Sequence, residues 1–236
     1  MSGSEAEPRL VNHYGDVLLI QFKEYYIDDN GNEVPLSETK EPIAVVVGSP
    51  GLHPAVANAL MEMKEGETRV ITINASDRVG PRDPMNVITV PRKPVEEMGF
   101  SPSVGQTIAM GMRVGRITQV TEDTITVDFN HPLAGKTIFS KVTLVKKLRN
   151  DAEKVHAVIK SHFGQYADAV TVKMRKDTID IYMTPDVLLM PNFQNVLVFV
   201  GMALAIAVPK RVAQYHISPK VIQMGGEDTR PPVKAQ

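Results

Sequence analysis

Ten residues, Val127-Asp128-Phe129-Asn130-His131-Pro132-Leu133-Ala134-Gly135-Lys136, restrict what this chain can become. Ile125, Val127 and Phe129 alternate with polar residues, which is the pattern of a half-buried strand. Asn-His-Pro supplies turn chemistry. Gly135 then lets the backbone swing into a second apolar run, Ile138 to Val145. Two strands joined by a tight polar turn are therefore expected here, just past the middle of the chain.

The same reading runs along the rest of the sequence. Residues 1–12 are polar and acidic at the start and read as a disordered arm, not as a signal peptide. Val17 to Tyr26 reads as a strand with apolar residues on both faces near its start. Asp28-Asp29-Asn30-Gly31-Asn32 is a turn, with Asn-Gly able to take positive φ at little cost. Ile43 to Val47 is a second β-branched strand, stopped by Gly48-Ser49-Pro50-Gly51. Pro54 suits the first position of a helix, where its missing N–H is no loss. Val56, Ala59, Leu60 and Met63 then recur at helical spacing. Thr68 to Ile73 is the next strand, and Thr137 to Lys146 a later one.

Between them, Gly80 to about Leu133 opens on a proline-rich, loop-like stretch (Pro81, Pro84, Pro91, Pro94). It continues as Thr107–Met110, Val114–Val120 and Thr124–Phe129, the last two forming a hairpin about Glu122-Asp123. Asp151 to Phe163 is an amphipathic helix through Val155, Val158, Ile159 and His162. Val170–Met174 and Ile179–Met183 form a hairpin around Lys176-Asp177. Asn192 to about Ala207 is an apolar helix that Pro209 should end. Ile217–Met224 reads as a last strand, and residues 226–236 as a disordered tail. The fold class expected is α+β.

Totals exclude some functions. The chain has 236 residues, enough for one large domain or two to three small ones. Its net charge of -1 argues against a nucleic-acid binder, which would neutralise phosphates with a basic surface. There is no Cys, so thiol catalysis and thiolate metal sites are excluded, and a reducing cytoplasm is the matching compartment. The longest apolar run, Val196 to Val208, is too short for a bilayer, which needs about 20 residues. It reads as a buried helix, so no membrane partner is expected. The six His do not cluster; His131 reads as a turn residue, and no metal site and no cofactor are expected. Gly111 to Gly115 has no helix after it and no Lys-Ser/Thr, so it is no phosphate loop. Lys141, Lys146, Lys147 and Arg149 read as a solvated strand face.

The string DFNHPLAGK resembles the loop by which SlyD-type FKBP peptidyl-prolyl isomerases return from an inserted flap domain. Gly51 to Glu67 is similar to that family's G-L-x-x-(G/A)-(W/L)-x-x-A-L-x-x-M-x-x-G-E pattern, with Val56 the departure. The layout of the last third resembles the extra C-terminal domain of long archaeal FKBP proteins. The resemblance implies an FKBP-like antiparallel half-barrel sheet around a short helix. Residues 13–79 plus 134–149 would form the isomerase domain, 80–133 an inserted small β domain acting as a chaperone flap, and 150–225 a C-terminal α+β domain. It implies a cytoplasmic rotamase and folding chaperone whose partners are unfolded or nascent polypeptides containing proline. The apolar helix of the C-terminal domain would be internal or line a homodimer interface.

Prolyl isomerisation needs no nucleophile. Its barrier is the amide resonance, roughly 18–20 kcal/mol, and an apolar site that disfavours the charge-separated planar amide lowers it. The resemblance carries the pocket over to Phe22, Leu52, His53, Val56 and Val79, with Leu36, Ile43, Val45 and Phe139 as substrate contacts. His53 would contribute its backbone N–H, and Val56 the pocket floor. Departures are plain: Leu36 stands for an acid, Val79 for a Tyr, and Phe139 is shifted by one so that Ser140 falls in register. Met is a pliable apolar contact, and Met98, Phe100, Met110 and Met112 are the expected client surface. Two readings stay open: an isomerase with an inserted chaperone domain, and a non-catalytic holdase or assembly partner with an eroded pocket.

Overall fold

The computed structural model describes residues 10–28 and 30–217. In chain order the elements are β1 (Val17–Ile27), β2 (Glu33–Glu38), β3 (Ile43–Val46), α1 (Pro54–Glu62), β4 (Thr68–Asn74), α2 (Ser76–Val79), β5 (Val87–Pro91) and α3 (Arg92–Glu97). There follow β6 (Thr107–Met110), β7 (Arg113–Val120), β8 (Thr124–Asp128), β9 (Thr137–Leu148), α4 (Asp151–Phe163), β10 (Val170–Met174), β11 (Thr178–Met183), α5 (Phe193–Ala207) and β12 (Val212–Ile217). The protein is an α+β chain with largely antiparallel sheets. Three sheets form: β2-β1-β9-β4 with β3 also on β1, β5-β8-β7-β6, and β10-β11-β12. Two compact units are present. The first holds residues up to Gln21, Thr39–Thr68 and the chain from Thr143 on; the second holds Phe22–Glu38 and Arg69–Val142.

In the first unit, β1 starts with an unbroken apolar run because both its faces are covered. Val17 joins one core with Ala44, Val46, Leu148 and the C-terminal elements, and Leu19 packs against it. Leu18 and Ile20 point the other way and are equally sealed, at 0% and 2% exposure. Val45 and Ile43 face them across the β1–β3 ladder. Helix α1 starts where Pro54 predicts, and buries Val56 and Leu60. Its C-terminal carbonyls are closed by the chain start: Asn12 Nδ2 donates to Leu60 O at 2.7 Å and Met63 O at 2.8 Å. The disordered arm expected over residues 1–12 is corrected at its end, since Asn12 is 1% exposed and Val11 N donates to Met61 O at 2.8 Å. Residues 1–9 lie outside the described residues.

Helix α4 has the expected bounds. Asn150 caps it by accepting from Ala152 N and Glu153 N. Val155, Val158, Ile159 and Phe163 fill its inner stripe. One expectation is corrected here, and one strand was not foreseen. The last strand among the described residues runs Val212–Ile217; it pairs parallel with β11, α5 being the crossover that parallel pairing requires. Its inward residues, Ala213 and Tyr215, are too weak an apolar signal to mark it. Residues 218–224 and the tail lie outside the described residues. Helix α5 is not buried all round. Val200, Ala203, Leu204 and Ala207 face the core, whereas Val198, Phe199 and Met202 are 54%, 41% and 46% exposed. Among the described residues no helix is long and apolar enough to cross a membrane.

In the second unit, the proline-rich stretch read as loop contains β5 and α3. Pro91 is tolerated because β5 is an edge strand. Pro94 falls in the first turn of α3, where an N–H would have no partner. Val95, Ile108, Ile117, Ile125 and Val127 make this unit's own small core, with Phe100, Met110 and Phe129 packed against it.

Candidate functional site

The DFNHPLAGK stretch is a hydrogen-bonded clamp. Strand β8 ends at Asp128, whose carboxylate accepts Asn130 N at 2.9 Å and Asn130 Nδ2 at 2.7 Å. Asn130 also binds the outgoing chain reciprocally: its Nδ2 donates to Asp83 O at 2.9 Å, and Asp83 N donates back to its Oδ1 at 2.9 Å. Arg82 completes the clamp on Asp128 at 2.8 Å. Burial works to raise the Asp128 pKa, but the Asn130 hydrogen bonds and the Arg82 guanidinium outweigh it. The carboxyl is held below the usual carboxylate range. His131 is a turn residue, its Nδ1 accepting Leu133 N at 3.2 Å. Gly135 has φ +74, and a Cβ there would sit 3.3 Å from Arg82 Cβ.

The residues carried over by resemblance divide between the two units. In the first, Ile43 and Val45 share the β3 face opposite Ala44 and Val46 and are half-buried. Leu52 is half-buried ahead of α1. His53 has extended backbone (φ -60, ψ 134), and its Nδ1 accepts Ala55 N at 3.2 Å. The imidazole thus does the capping work usually given to Ser, Thr, Asp or Asn, which accounts for a His where the pattern expects Ile. Val56 is 5% exposed.

In the second unit, Phe22 is half-buried on β1, on the strand face that carries Leu18 and Ile20. Leu36 is the unpaired residue of a β-bulge: Glu24 faces Ser37 and Tyr25 faces Pro35. Pro35 has no N–H to give, which suits a bulge on an edge strand. Leu36 is 38% exposed. Val79 is half-buried and ends α2 before Gly80, whose φ is +80. In β9, Ile138, Ser140 and Val142 are buried on one face. Phe139 points to the other face and stacks on Tyr25 at 5.6 Å and 24°. Because Tyr25 and Phe22 alternate along β1, Phe139 and Phe22 lie on opposite sides of the sheet and are not brought together. The expected client surface splits too. Phe100 and Met110 pack against the small core, whereas Met98 is 76% and Met112 102% exposed.

A cleft of about 950 Å³ lies wholly within the second unit. One wall is the β1–β2 hairpin, with Tyr26 and Val34. The other is the outer side of β6 and β7, with Thr107, Val114 and Arg116. The clamp residues Arg82, Asp128 and Asn130 also line it, as does Lys136, whose Nζ stands 5.3 Å from the Tyr26 ring centre.

Three curated proteins resemble this chain. The short-type peptidyl-prolyl cis-trans isomerase of Methanocaldococcus jannaschii is 35% identical over 96 residues, 41% of this chain and 61% of that protein. The probable FKBP-type 16 kDa peptidyl-prolyl cis-trans isomerase of Pseudomonas fluorescens is 31% identical over 120 residues, half of this chain and 80% of that protein. The chain belongs to the FKBP-type peptidyl-prolyl cis-trans isomerase family. The FKBP-type isomerase SlyD of Treponema pallidum is 30% identical over 125 residues, half of this chain and 68% of that protein. No protein-family model matches.

Within this FKBP-type chain, sequence reasoning missed the cleft. Tyr26, Arg82 and Arg116 looked like ordinary strand and loop residues. One signal was available: Asp128, Asn130 and Lys136 belong to the motif already singled out, and a polar motif that folds as a clamp has to bind a neighbouring segment.

Proposed function

We propose that this chain catalyses cis-trans isomerisation of Xaa-Pro bonds in unfolded polypeptides, in the cytoplasm, and holds those clients on the β5-β8-β7-β6 sheet as an inserted chaperone flap. The observation that carries the reading is the half-buried apolar face of Ile43 and Val45, together with Leu52 at the start of α1. Apolar side chains left partly open, not sealed, are what a site that desolvates an amide requires. Each ~1.4 kcal/mol by which such a site favours the twisted amide over the planar one multiplies the rate tenfold. Uncatalysed isomerisation takes tens of seconds, slow enough to limit folding. The exposed Met98 and Met112 supply adaptable contacts for varied clients. The same reading gives the open stripe of α5 to a second copy of the chain.

A second reading, a holdase without catalysis, is favoured by Phe139 facing away from Phe22, by Ser140 in its register, and by Leu36 and Val79 in place of an acid and a Tyr. One experiment separates the two. The full chain is added at substoichiometric amounts to a proline-limited refolding reaction. Acceleration supports the enzyme. No acceleration, with aggregation still suppressed at stoichiometric amounts, supports the holdase.

A further inference from the structure

The cleft of the second unit carries more positive charge than its clamp uses. Arg82, Arg116 and Lys136 line it against two carboxylates, Asp28 and Asp128. Both carboxylates are committed. Asp28 accepts Asn30 N at 2.9 Å and Asn32 N at 2.8 Å, closing the hairpin turn. Asp128 is taken by Asn130 and Arg82. Arg116 lies directly across the ladder from Asp128 and from Thr107, yet its guanidinium pairs with no carboxylate among the described residues. It is exposed and reaches over Gly105, where a Cβ would come within 3.5 Å of its Nη2. Around it stand Tyr26, Val34, Val104 and Val114. The cleft is thus a trough of mixed lining in which, among the described residues, one planar cation is left over beside three valines and Tyr26, and a guanidinium matches a carboxylate through two parallel N–H donors.

We propose that this cleft takes an extended client segment by an acidic side chain, with Arg116 receiving the Glu or Asp carboxylate and the neighbouring valines and Tyr26 receiving the flanking apolar residues. The protein would then prefer clients whose apolar stretches are interrupted by acidic residues. This inference rests on the client-holding reading above and adds a substrate class to it. A polypeptide fits better than a nucleic acid, because the one guanidinium left over can receive a single carboxylate, whereas a phosphate chain brings a charge at every nucleotide.

The test is a fluorescence titration of the full chain with short labelled peptides that share apolar residues and differ at one position: Glu, Gln or Lys. At low salt the Glu peptide should bind about three- to fivefold more tightly than the Gln peptide, the margin of a solvent-accessible ion pair. It should lose that margin in 1 M salt, where screening acts within about 3 Å. Arg116→Gln should abolish the preference and Arg116→Glu should reverse it toward the Lys peptide, both with an unchanged unfolding midpoint. Equal binding of Glu and Gln peptides, or a preference that survives in Arg116→Gln, would overturn the inference while leaving client holding intact. No binding of any peptide would overturn client holding and this inference together. Tighter, Arg116-dependent binding of a single-stranded RNA oligomer would replace a peptide site with a nucleic-acid one. The isomerase reading is scored separately, by refolding of a client that lacks acidic residues.

Discussion

Gly115 sits in β7 where no side chain fits. A Cβ there would come within 2.6 Å of Val127 Cγ1, 2.8 Å of Phe129 Cδ1 and 3.0 Å of the Asp128 carbonyl. Gly115→Ala should therefore cost about 1–3 kcal/mol by overpacking, read as a lowered denaturant midpoint of the second unit. Asn12 is the opposite case, a side chain whose every proton is used. Asn12→Ala leaves two carbonyls at the end of α1 without their donor and should cost about 2 kcal/mol. Asn12→Asp should do at least as much damage, because a carboxylate cannot donate. Asp128 sets a pH dependence with a definite sign. Its folded pKa is lowered, so its contribution is complete above the unfolded value of about 3.9 and is lost as pH falls through the folded one. Asp128→Asn should flatten the acid limb of the stability profile below about pH 4. An unchanged limb would mean that the clamp is not what acid breaks.

Elements followed local chemistry wherever that chemistry was strong. Asn150 caps α4, and Asn150→Ala should cost about 1 kcal/mol by thermal unfolding. The turn at Asp28–Asn32, the α1 start at Pro54 and the β7–β8 hairpin were all legible, because caps, prolines and alternation act within a few residues. Prolines misled at Pro91 and Pro94. A proline is a breaker only where an N–H is wanted, and neither an edge strand nor a first helical turn wants one. The bulge at Pro35 and Leu36 is a similar case. The resemblance puts Leu36 where the family has an acid, and the ladder shows that this position has no cross-strand partner. Helix α5 runs through Gly201, as the apolar pattern from Asn192 to Ala207 expects, and Tyr215 Oη donates to Leu197 O at 3.1 Å beside the space that Gly201 leaves. Burial pushes the Tyr215 hydroxyl pKa up.

At the scale of the whole molecule, each unit owns a core, and α5 leaves a surface open among the described residues. Val198, Phe199 and Met202 form an exposed apolar stripe on α5. With a second copy as the proposed occupant, the protein should sediment as a dimer and Met202→Lys should sediment as a monomer. Met202 is 46% exposed, so that change should alter folding stability by only about 0.5 kcal/mol. A native monomer at all concentrations would remove the second copy from the account.

The sequence by itself determined where most strands and helices lie, the α+β class and the resemblance to FKBP-type isomerases. All three rest on local signals: side-chain periodicity, turn and cap chemistry, and short contiguous motifs. Only the tertiary structure decided that Phe139 faces away from Phe22, that α5 keeps one face open, that β12 joins β11 in parallel, and that Arg116 stands in a cleft with no carboxylate partner among the described residues. The Asp83–Asn130 clamp joins residues 47 positions apart. Which face of an element is covered, and by what, depends on such distant partners, and no window of neighbouring residues contains them.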